Sequence, residues 1–257
     1  MDLHRGDAWD FLAAQPDAAF DLTLTDPPFG ITNLAWDKAP DAARLLDELH
    51  RVTARDGAVL IFAAGKFTQA VMNAAGKRFR YKLVWRKIGS ATGGLDARRR
   101  PMRIHEDILV LGETMPRYFP VMTTGHAPYK ASARGECVGG HWRAAGAIPA
   151  RVNTGERYPI DVLEFPRPSG KGRFHPTQKP VALLDRLVRL YSPEGGRVCD
   201  PFFGSGSTAA ACIDTGRSFA GAELDPTYFA AARRALEPRA QAAGVPLRAH
   251  AGAGASR

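Results

Sequence analysis

The chain has 257 residues, of which 45% are hydrophobic and 24% charged, a composition typical of one large soluble domain or one domain with an insert. No apolar run approaches the ~18 residues that a membrane span needs, and three cysteines without a CxxC pair exclude a disulfide framework. Lys and Arg outnumber Asp and Glu by 35 to 26, so a polyanionic partner is the first hypothesis, beside a merely basic surface.

Strand and helix patterns alternate at both ends of the chain, which predicts an α/β fold with a doubly wound, mostly parallel sheet. The predicted strands are 21–25, 58–62, 81–85, 107–111, 197–200 and 218–224. The predicted helices are 41–54, 66–76, one capped by Thr177, 206–216 and 226–243.

Between these regular ends, the residues from 112 to about 172 show no sustained period and are rich in Gly, Pro, Arg and aromatic residues. We therefore expect four segments. They are an N-terminal half at 1–112, an irregular insert at 113–172, a C-terminal half at 173–243 and a mobile tail at 244–257.

The excess positive charge is local. Ten cations and one acid, Asp96, fall between residues 77 and 103, an excess equal to the whole net charge of +9. Glycines make part of this stretch a flexible loop, and arginines on such a loop can follow and neutralise a phosphate backbone. A solvated basic face is the plainer interpretation. The candidate phosphate contacts in the loop 86–103 are Arg86, Lys87, Arg98, Arg99, Arg100 and Arg103.

A glycine turn, Asp200-Pro-Phe-Phe-Gly-Ser-Gly206, follows the predicted strand 197–200. Glycines let a ligand approach the backbone, and the start of the next helix offers free N–H donors. With Ala209 the turn fits the dinucleotide pattern G-x-G-x-x-A, and Glu223 ends the next strand, where an acid commonly binds ribose hydroxyls. No lysine follows the glycines, which disfavours a phosphate-loop NTPase.

Two ligands fit this turn, NAD and S-adenosylmethionine, and Asp200 favours the second. A carboxylate directly before the glycines would repel a pyrophosphate, whereas it can accept hydrogen bonds from the ammonium of a methionine moiety.

A second candidate site is Asp26-Pro-Pro-Phe29, which follows the first predicted strand and whose prolines restrict the backbone. A carboxylate and a peptide carbonyl that accept the two N–H bonds of an exocyclic base amine would localise its lone pair. Phe29 could then stack on the base once it leaves the helix. A sulfonium methyl donor needs no metal, and Cys137 and His141 supply only two ligands, so they are interpreted as ordinary loop residues.

Seven segments, in this order, resemble the β-group of amino-methylating DNA methyltransferases, which modify adenine N6 or cytosine N4. The segments are Gly6-Asp7, Asp26–Phe29, 48–62, His105–Leu109, Phe174–Pro180, Asp200–Gly206 and Phe219–Asp225. The pair His-Pro-Thr-Gln-Lys-Pro and Asp-Pro-Phe-x-Gly-Ser-Gly is highly specific. The resemblance implies a Rossmann-like, S-adenosylmethionine-dependent methyltransferase fold in permuted order. It places catalysis at 1–112, target recognition at 113–172 with help from the basic loop, and cofactor binding at 173–243.

The resemblance also implies residue roles. Asp26 and the Pro27 carbonyl would hold the target amine, Pro28 would stiffen the loop, and Phe29 would stack on the base. In the cofactor pocket, Glu223 would bind the ribose and Lys179 would meet the methionine carboxylate. The expected pocket residues are Asp7, Asp26, His175, Lys179, Asp200, Phe202, Gly204, Ser205, Gly206, Thr208 and Glu223. Asp7, expected near the cofactor adenine, fits equally as the cap of a short helix at 8–14.

Two positions refine the expectation. Phe29 stands where the family more often has Tyr, and stacking needs only the ring. Asp rather than Ser at position 26 favours adenine N6 over cytosine N4. Double-stranded DNA is the implied partner, RNA stays open, and a homodimer is expected. A cognate restriction endonuclease is an alternative to a solitary enzyme, and the expected location is the cytoplasm, at the nucleoid.

Two other classes of protein explain part of the sequence. A nicotinamide-dependent oxidoreductase would account for the glycine turn but not for Asp26–Phe29. A non-catalytic DNA-binding module would account for the charge but would leave the cofactor turn unused.

Overall fold

The computed structural model describes residues 1–32, 34, 36–89, 91–133, 149–170 and 173–251. The strands are β1 (Asp2–Arg5), β2 (Phe20–Thr25), β3 (Thr53–Ala63), β4 (Phe79–Ile88), β5 (His105–Leu111), β6 (Tyr129–Ala131), β7 (Arg151–Asn153), β8 (Val162–Pro166), β9 (Arg197–Asp200), β10 (Ser218–Glu223) and β11 (Arg248–Ala251). The helices are α1 (Ala8–Ala13), α2 (Ala42–Val52), α3 (Lys66–Ala75), α4 (Val181–Tyr191), α5 (Ser207–Thr215) and α6 (Pro226–Ala242). Within these ranges, no helix is both long and apolar enough to cross a membrane.

Nine strands form one sheet in the order β11-β1-β10-β9-β2-β3-β5-β4-β8. All neighbours are parallel except β5, which runs antiparallel to both β3 and β4. The predicted α/β fold with a doubly wound, mostly parallel sheet is therefore confirmed. Its centre is covered on both faces, which is why the run Ala58–Ala63 of β3 is apolar and buried throughout.

The helix termini follow local sequence rules. The Asp41 side chain caps α2 by accepting a hydrogen bond of 2.8 Å from the Arg44 backbone N–H. Asp225 caps α6 in the same way, and Pro226 occupies the first turn, where no N–H is needed. Helix α4 differs from the prediction, because it begins at Val181 with Pro180 as its N-cap residue, whereas the Thr177 hydroxyl contacts His175.

The segment expected to be an insert, 113–172, is only partly separate from the sheet. Pro120–Ile160 form one compact unit, which contains the small antiparallel pair β6–β7, and the rest of the chain forms the other unit. Strand β8 belongs to the main sheet because Val162–Pro166 pair with Val84–Ile88 of β4. A strand at the edge of a sheet has a weak hydrophobic pattern, so β8 could not be predicted from the sequence.

The expected mobile tail also needs correction over part of its length. Residues 248–251 form the edge strand β11, which pairs in parallel with β1, and the Arg248 N–H donates to the Met1 carbonyl at 2.9 Å. Residues 252–257 lie outside the described part of the chain.

The two halves of the chain meet at the centre of the sheet, where β2 pairs with β9 through Leu22–Val198 and Thr23–Cys199. This pairing brings the carboxyl ends of the two strands together. The Thr25 hydroxyl, at the end of β2, donates a hydrogen bond of 2.8 Å to Asp200 at the end of β9. The segments Asp26–Phe29 and Asp200–Gly206 therefore emerge side by side, as expected for ligand-binding loops of an open α/β sheet.

Close packing in this region predicts a strong effect of one small substitution. A Cβ atom added at Gly221 of β10 would lie 2.3 Å from the Asp200 carbonyl oxygen and 2.6 Å from the Phe219 ring. We expect Gly221→Ala to lower the free energy of unfolding by roughly 1–3 kcal/mol in urea titration, as overpacking generally does. Gly94→Ala, whose Cβ would meet only the Met102 methyl at 3.9 Å, is the control. Equal stability of the two variants would contradict this packing.

Candidate active site

Two cavities open where β2 and β9 end. The larger has a volume of about 660 Å³, within the range of roughly 300–1,000 Å³ typical of ligand pockets, and the smaller measures about 180 Å³. Both are lined by Asp26, Pro28 and Lys179, so these residues form the boundary at which the two cavities meet.

Most of the residues expected to bind the cofactor line the larger cavity. The expected residues that line it are Asp7, Asp26, His175, Lys179, Asp200, Phe202, Gly204, Ser205, Thr208 and Glu223. Gly206 is not among the lining residues. It precedes α5 with φ +73°, and a Cβ there would lie 3.0 Å from Leu236, so this glycine permits the turn and the approach of α6.

Asp200 is 2% exposed and its carboxylate holds three elements together. One oxygen accepts hydrogen bonds from the Thr25 hydroxyl at 2.8 Å and from the Phe202 N–H at 3.1 Å, while the other accepts from the Thr208 hydroxyl of α5 at 2.7 Å. Burial raises the pKa of Asp200 to about 7 although these hydrogen bonds oppose the shift.

Glu223, the last residue of β10, and Asp7, which follows the neighbouring strand β1, line the same cavity. Glu223 accepts hydrogen bonds from the backbone N–H groups of Gly204 at 3.0 Å and Asp225 at 2.7 Å, which fixes the carboxylate against the glycine turn. Burial raises the pKa of Glu223. Asp7 caps α1 by accepting from the Trp9 N–H at 2.7 Å and also lines the cavity, so the capping role and the pocket position coexist.

Asp26 stands at the junction of the two cavities with one oxygen paired and one free. Its Oδ2 atom contacts the Lys179 ammonium, whereas its Oδ1 atom is buried and has no hydrogen-bond partner among the described residues. Burial raises the pKa of Asp26 to about 6, against the opposing pull of the Lys179 cation. A buried acceptor without a partner is costly, so a ligand donor that reached this oxygen would relieve that cost.

Lys179 lines the larger cavity, but its ammonium is paired with carboxylates of the protein itself. Its ammonium contacts Asp26 and lies 3.3 Å from a Glu106 oxygen, and its side chain is only 8% exposed. The other Glu106 oxygen accepts from Lys87 Nζ at 2.6 Å. Four largely buried charges of alternating sign therefore run in the order Asp26, Lys179, Glu106, Lys87, and we call them the charge chain.

The smaller cavity is lined by Phe29 and Trp85 together with Pro27 and residues of the charge chain. The Phe29 ring stacks on Phe67 of α3, with centroids 5.5 Å apart and planes inclined by 21°. The Trp85 indole donates to the Phe165 carbonyl at 2.9 Å, which anchors it between β4 and β8. The cavity therefore has fixed aromatic walls.

Asp37 organises the loop that follows Phe29. Its carboxylate accepts from the backbone N–H groups of Gly30 at 2.8 Å, Ile31 at 3.0 Å and Thr32 at 2.7 Å. Burial acts to raise the pKa of Asp37, but these hydrogen bonds, with one from the Thr32 hydroxyl, outweigh it and lower the pKa. The role of Asp37 could not be predicted from the sequence, because a lone Asp after a loop gives no local signal.

The expected phosphate contacts fall into different environments. Arg98, Arg99 and Arg100 are exposed, and Arg100 pairs with Asp96. Arg86 is half exposed and pairs with Glu164, while Arg103 is partly buried at the rim of the smaller cavity. Lys87 departs from the expectation, because its side chain is 5% exposed and held by Glu106, so it does not face solvent.

Three further residues of the site were missed in the sequence. Trp36 and Tyr228 flank His175 in the larger cavity, at ring distances of 5.8 Å and 4.3 Å, and burial lowers the pKa of His175 to about 4. Glu106 lies in a segment that carries the family resemblance, but nothing local indicates its lysine partners. Cys137 and His141 lie outside the described residues. Among the residues that the structure describes, no group of three or more His, Cys, Asp or Glu side chains could hold a metal ion.

Comparisons with known proteins place these features in a family. The model of the N6/N4 methyltransferase family, described as DNA methylase, matches residues 20–234. DNA adenine methyltransferase YhdJ of Escherichia coli strain K12 is 30% identical over 252 residues, which cover 91% of this chain and 81% of YhdJ.

Two solved structures share the fold. The chain in the M1.HpyAVI–SAM complex is 21% identical with a TM-score of 0.62. The match covers 92% of this chain and 99% of the M1.HpyAVI chain. PvuII DNA methyltransferase, which is cytosine-N4-specific, is 13% identical with a TM-score of 0.66. The match covers 96% of this chain and 94% of the PvuII chain. The chain belongs to the N6/N4 DNA methylase family and is an S-adenosylmethionine-dependent DNA methyltransferase.

Proposed function

We propose that this enzyme methylates the N6 amine of adenine in double-stranded DNA, after the base has left the helix. The observation that carries the proposal is the free Oδ1 atom of Asp26, a buried acceptor at the junction of a cofactor-sized cavity and a smaller aromatic one. An exocyclic amine that enters the smaller cavity brings the N–H donor that this oxygen lacks.

The larger cavity fits S-adenosylmethionine, which supplies the methyl group when bound. Gly204 has φ +50°, a backbone conformation that favours glycine, and it lines the cavity. Because glycine has no Cβ, the turn presents bare backbone to a ligand there. Asp200 can balance the cationic methionine moiety, and Glu223 can accept from ribose hydroxyls. We assign Asp7, Phe202, Ser205 and Thr208 to the walls of this pocket because they line the cavity.

In the proposed reaction, Asp26 activates the target amine and accepts its proton. Its Oδ1 atom and the Pro27 carbonyl accept the two amine N–H bonds, which draws the nitrogen lone pair out of conjugation with the ring. The nitrogen then forms a bond to the methyl carbon while the carbon–sulfur bond breaks. The methylated amine must release one proton, and the Asp26 carboxylate, with its raised pKa, can hold it.

Adenine N6 is preferred over cytosine N4 on two grounds. An aspartate stands at position 26, and the 30% identical relative YhdJ is a DNA adenine methyltransferase. Cytosine N4 is the second candidate, since the cytosine-N4-specific PvuII enzyme shares the fold at a TM-score of 0.66. The homodimer and the cognate restriction endonuclease expected from the resemblance stay predictions.

The exposed arginines of the loop 86–103 are proposed to contact the phosphate backbone. Arg98, Arg99 and Arg100 are exposed and lie in the segment between Thr92 and Arg103. Thr92 and Arg103 pair with each other and line the smaller cavity. Lys87 leaves this set because it is buried in the charge chain.

The proposed substrate is tested by incubating the enzyme with random-sequence duplex DNA and a labelled methyl donor, then sequencing the modified positions. We expect N6-methyladenine in one sequence context. N4-methylcytosine would move the enzyme to the second candidate, and labelling of RNA but not DNA would refute the proposal.

The proposed role of Asp26 predicts that its loss affects the rate of methyl transfer but not the binding of S-adenosylmethionine. Asp26→Ala should lower the single-turnover rate by about 100-fold or more while leaving S-adenosylmethionine affinity by calorimetry nearly unchanged. Loss of cofactor binding in a folded variant, with the rate at saturation retained, would contradict this assignment.

The raised pKa of Asp200 predicts that cofactor binding releases a proton. Asp200, with a pKa of about 7, is mostly protonated at pH 6 in the free enzyme, and a bound cation favours the carboxylate. Calorimetry at pH 6 in buffers of different ionisation enthalpy should show release of about one proton, and affinity should rise from pH 6 to pH 8. Asp200→Asn should abolish this release, and a wild-type enzyme that releases none would contradict the prediction.

The arginine loop predicts salt-sensitive DNA affinity. Replacing Arg98, Arg99 and Arg100 by alanine should reduce the slope of log affinity against log salt by about 2–3, since each phosphate contact contributes ~0.9. Cofactor affinity serves as the control and should not change. An unchanged salt slope would show that this loop does not face the phosphate backbone.

A further inference from the structure

The charge chain contains two lysines that the chemistry of methyl transfer does not by itself require. Glu106 of β5 lies between them, with Lys87 Nζ at 2.6 Å from one oxygen and Lys179 Nζ at 3.3 Å from the other. Lys179 in turn contacts Asp26 Oδ2. Since Trp85 pairs with Glu106 in the antiparallel register of β4 and β5, the Lys87–Glu106 contact is built into the sheet.

This arrangement gives Lys179 two carboxylate partners within the protein. A buried ammonium without a counter-ion is very costly, and both of its partners are largely buried, with 19% of the Asp26 and 16% of the Glu106 side chain exposed. Lys179 is therefore already neutralised before any cofactor binds. That environment does not match the methionine carboxylate as its partner, the role that the family resemblance implied.

We infer that Lys179 is a positioning residue which keeps Asp26 ionised and turned so that Oδ1 faces the base cavity, and that Glu106 and Lys87 fix Lys179 in this place. The inference rests on the proposed role of Asp26. It adds three residues to the reaction without requiring that any of them touch the base or the cofactor.

The surrounding charges agree with this geometry. The groups that face Asp26 are Lys179 before α4, Glu106 on β5, Lys87 on β4 and Asp200 at the end of β9. Burial and Glu106 raise the pKa of Asp26, whereas the two lysines lower it. Asp26 in turn raises the pKa of Asp200. Without the lysines, a carboxyl group in this position would be protonated over a wider pH range and would lose its acceptor strength.

Lys179→Gln tests the inference through the pH dependence of single-turnover methyl transfer to duplex DNA at saturating S-adenosylmethionine. The wild-type rate should fall as the pH drops through about 6, where Asp26 takes up a proton. In the variant this fall should move to higher pH by about one unit or more, while the calorimetric Kd for S-adenosylmethionine changes by less than about threefold. An unmoved pH profile together with a Kd raised by about tenfold would overturn the inference in favour of a cofactor ligand.

Lys87→Gln is the second variant, and it decides the question if Lys179→Gln is too slow to titrate. Without the Lys87 ammonium, Lys179 is the one remaining counter-ion of Glu106 among the described residues, and Glu106 draws it away from Asp26. The pH profile should therefore move in the same direction by a smaller amount. The salt slope of DNA binding should stay at the wild-type value. A salt slope reduced by about 0.9 with an unmoved pH profile would make Lys87 a phosphate contact and refute its positioning role.

Lys82→Gln provides a matched control on the same strand. Lys82 of β4 pairs with Asp107 of β5 at 3.0 Å, as Lys87 pairs with Glu106, but its side chain is 49% exposed and it lines neither cavity. Neither its pH profile nor its salt slope should change. If the wild-type enzyme itself transfers no methyl group to DNA, the proposed function fails. If wild-type transfer is normal and both lysine variants keep the wild-type pH profile, only this inference fails.

Discussion

The buried Asp200 carboxylate is the interaction on which the site depends. It accepts hydrogen bonds from Thr25 at the end of β2, from Phe202 in the glycine turn and from Thr208 in α5. The first of these contacts joins residues 175 positions apart in the chain. One side chain thus ties the loop that holds Asp26 to the glycine turn that lines the larger cavity. The same burial gives Asp200 its raised pKa, so structural anchoring and sensitivity to a bound cation come from one cause.

The four residues of the charge chain neutralise one another's charges. The charge chain holds two acids and two bases in alternating order, so its net charge is zero when all four groups are ionised. Alternation lets each buried ion meet an opposite charge, which offsets the cost of removing it from water. Two carboxylate oxygens of the charge chain, Asp26 Oδ1 and Glu106 Oε2, are buried without a hydrogen-bond partner among the described residues. Glu106 Oε2 lies 3.3 Å from Lys179 Nζ as an ion pair, and the proposed chemistry occurs at Asp26 Oδ1.

Patterns that involve neighbouring residues could be predicted from the sequence, while pairings between distant residues could not. The alternation of strands and helices and the two ligand-binding loops follow from local periodicity, glycines and prolines. The antiparallel direction of β5 and the edge strands β8 and β11 depend on partners elsewhere in the chain. Lys87 shows the same limit, since a basic stretch predicts exposure and only the register of β4 against β5 shows that Glu106 buries this lysine.

The connections of the unit Pro120–Ile160 bear on how such enzymes diversify. Both flanking residues are fixed to the main sheet domain by backbone hydrogen bonds, Phe119 N–H to the Leu190 carbonyl at 2.8 Å and Val84 N–H to the Asp161 carbonyl at 2.8 Å. Because the cost of closing a chain segment grows only slowly with its length, these anchored ends could tolerate segments of quite different size between them. Exchange of the segment between these two points would therefore leave the main sheet, and the loops at the ends of β2 and β9, unchanged.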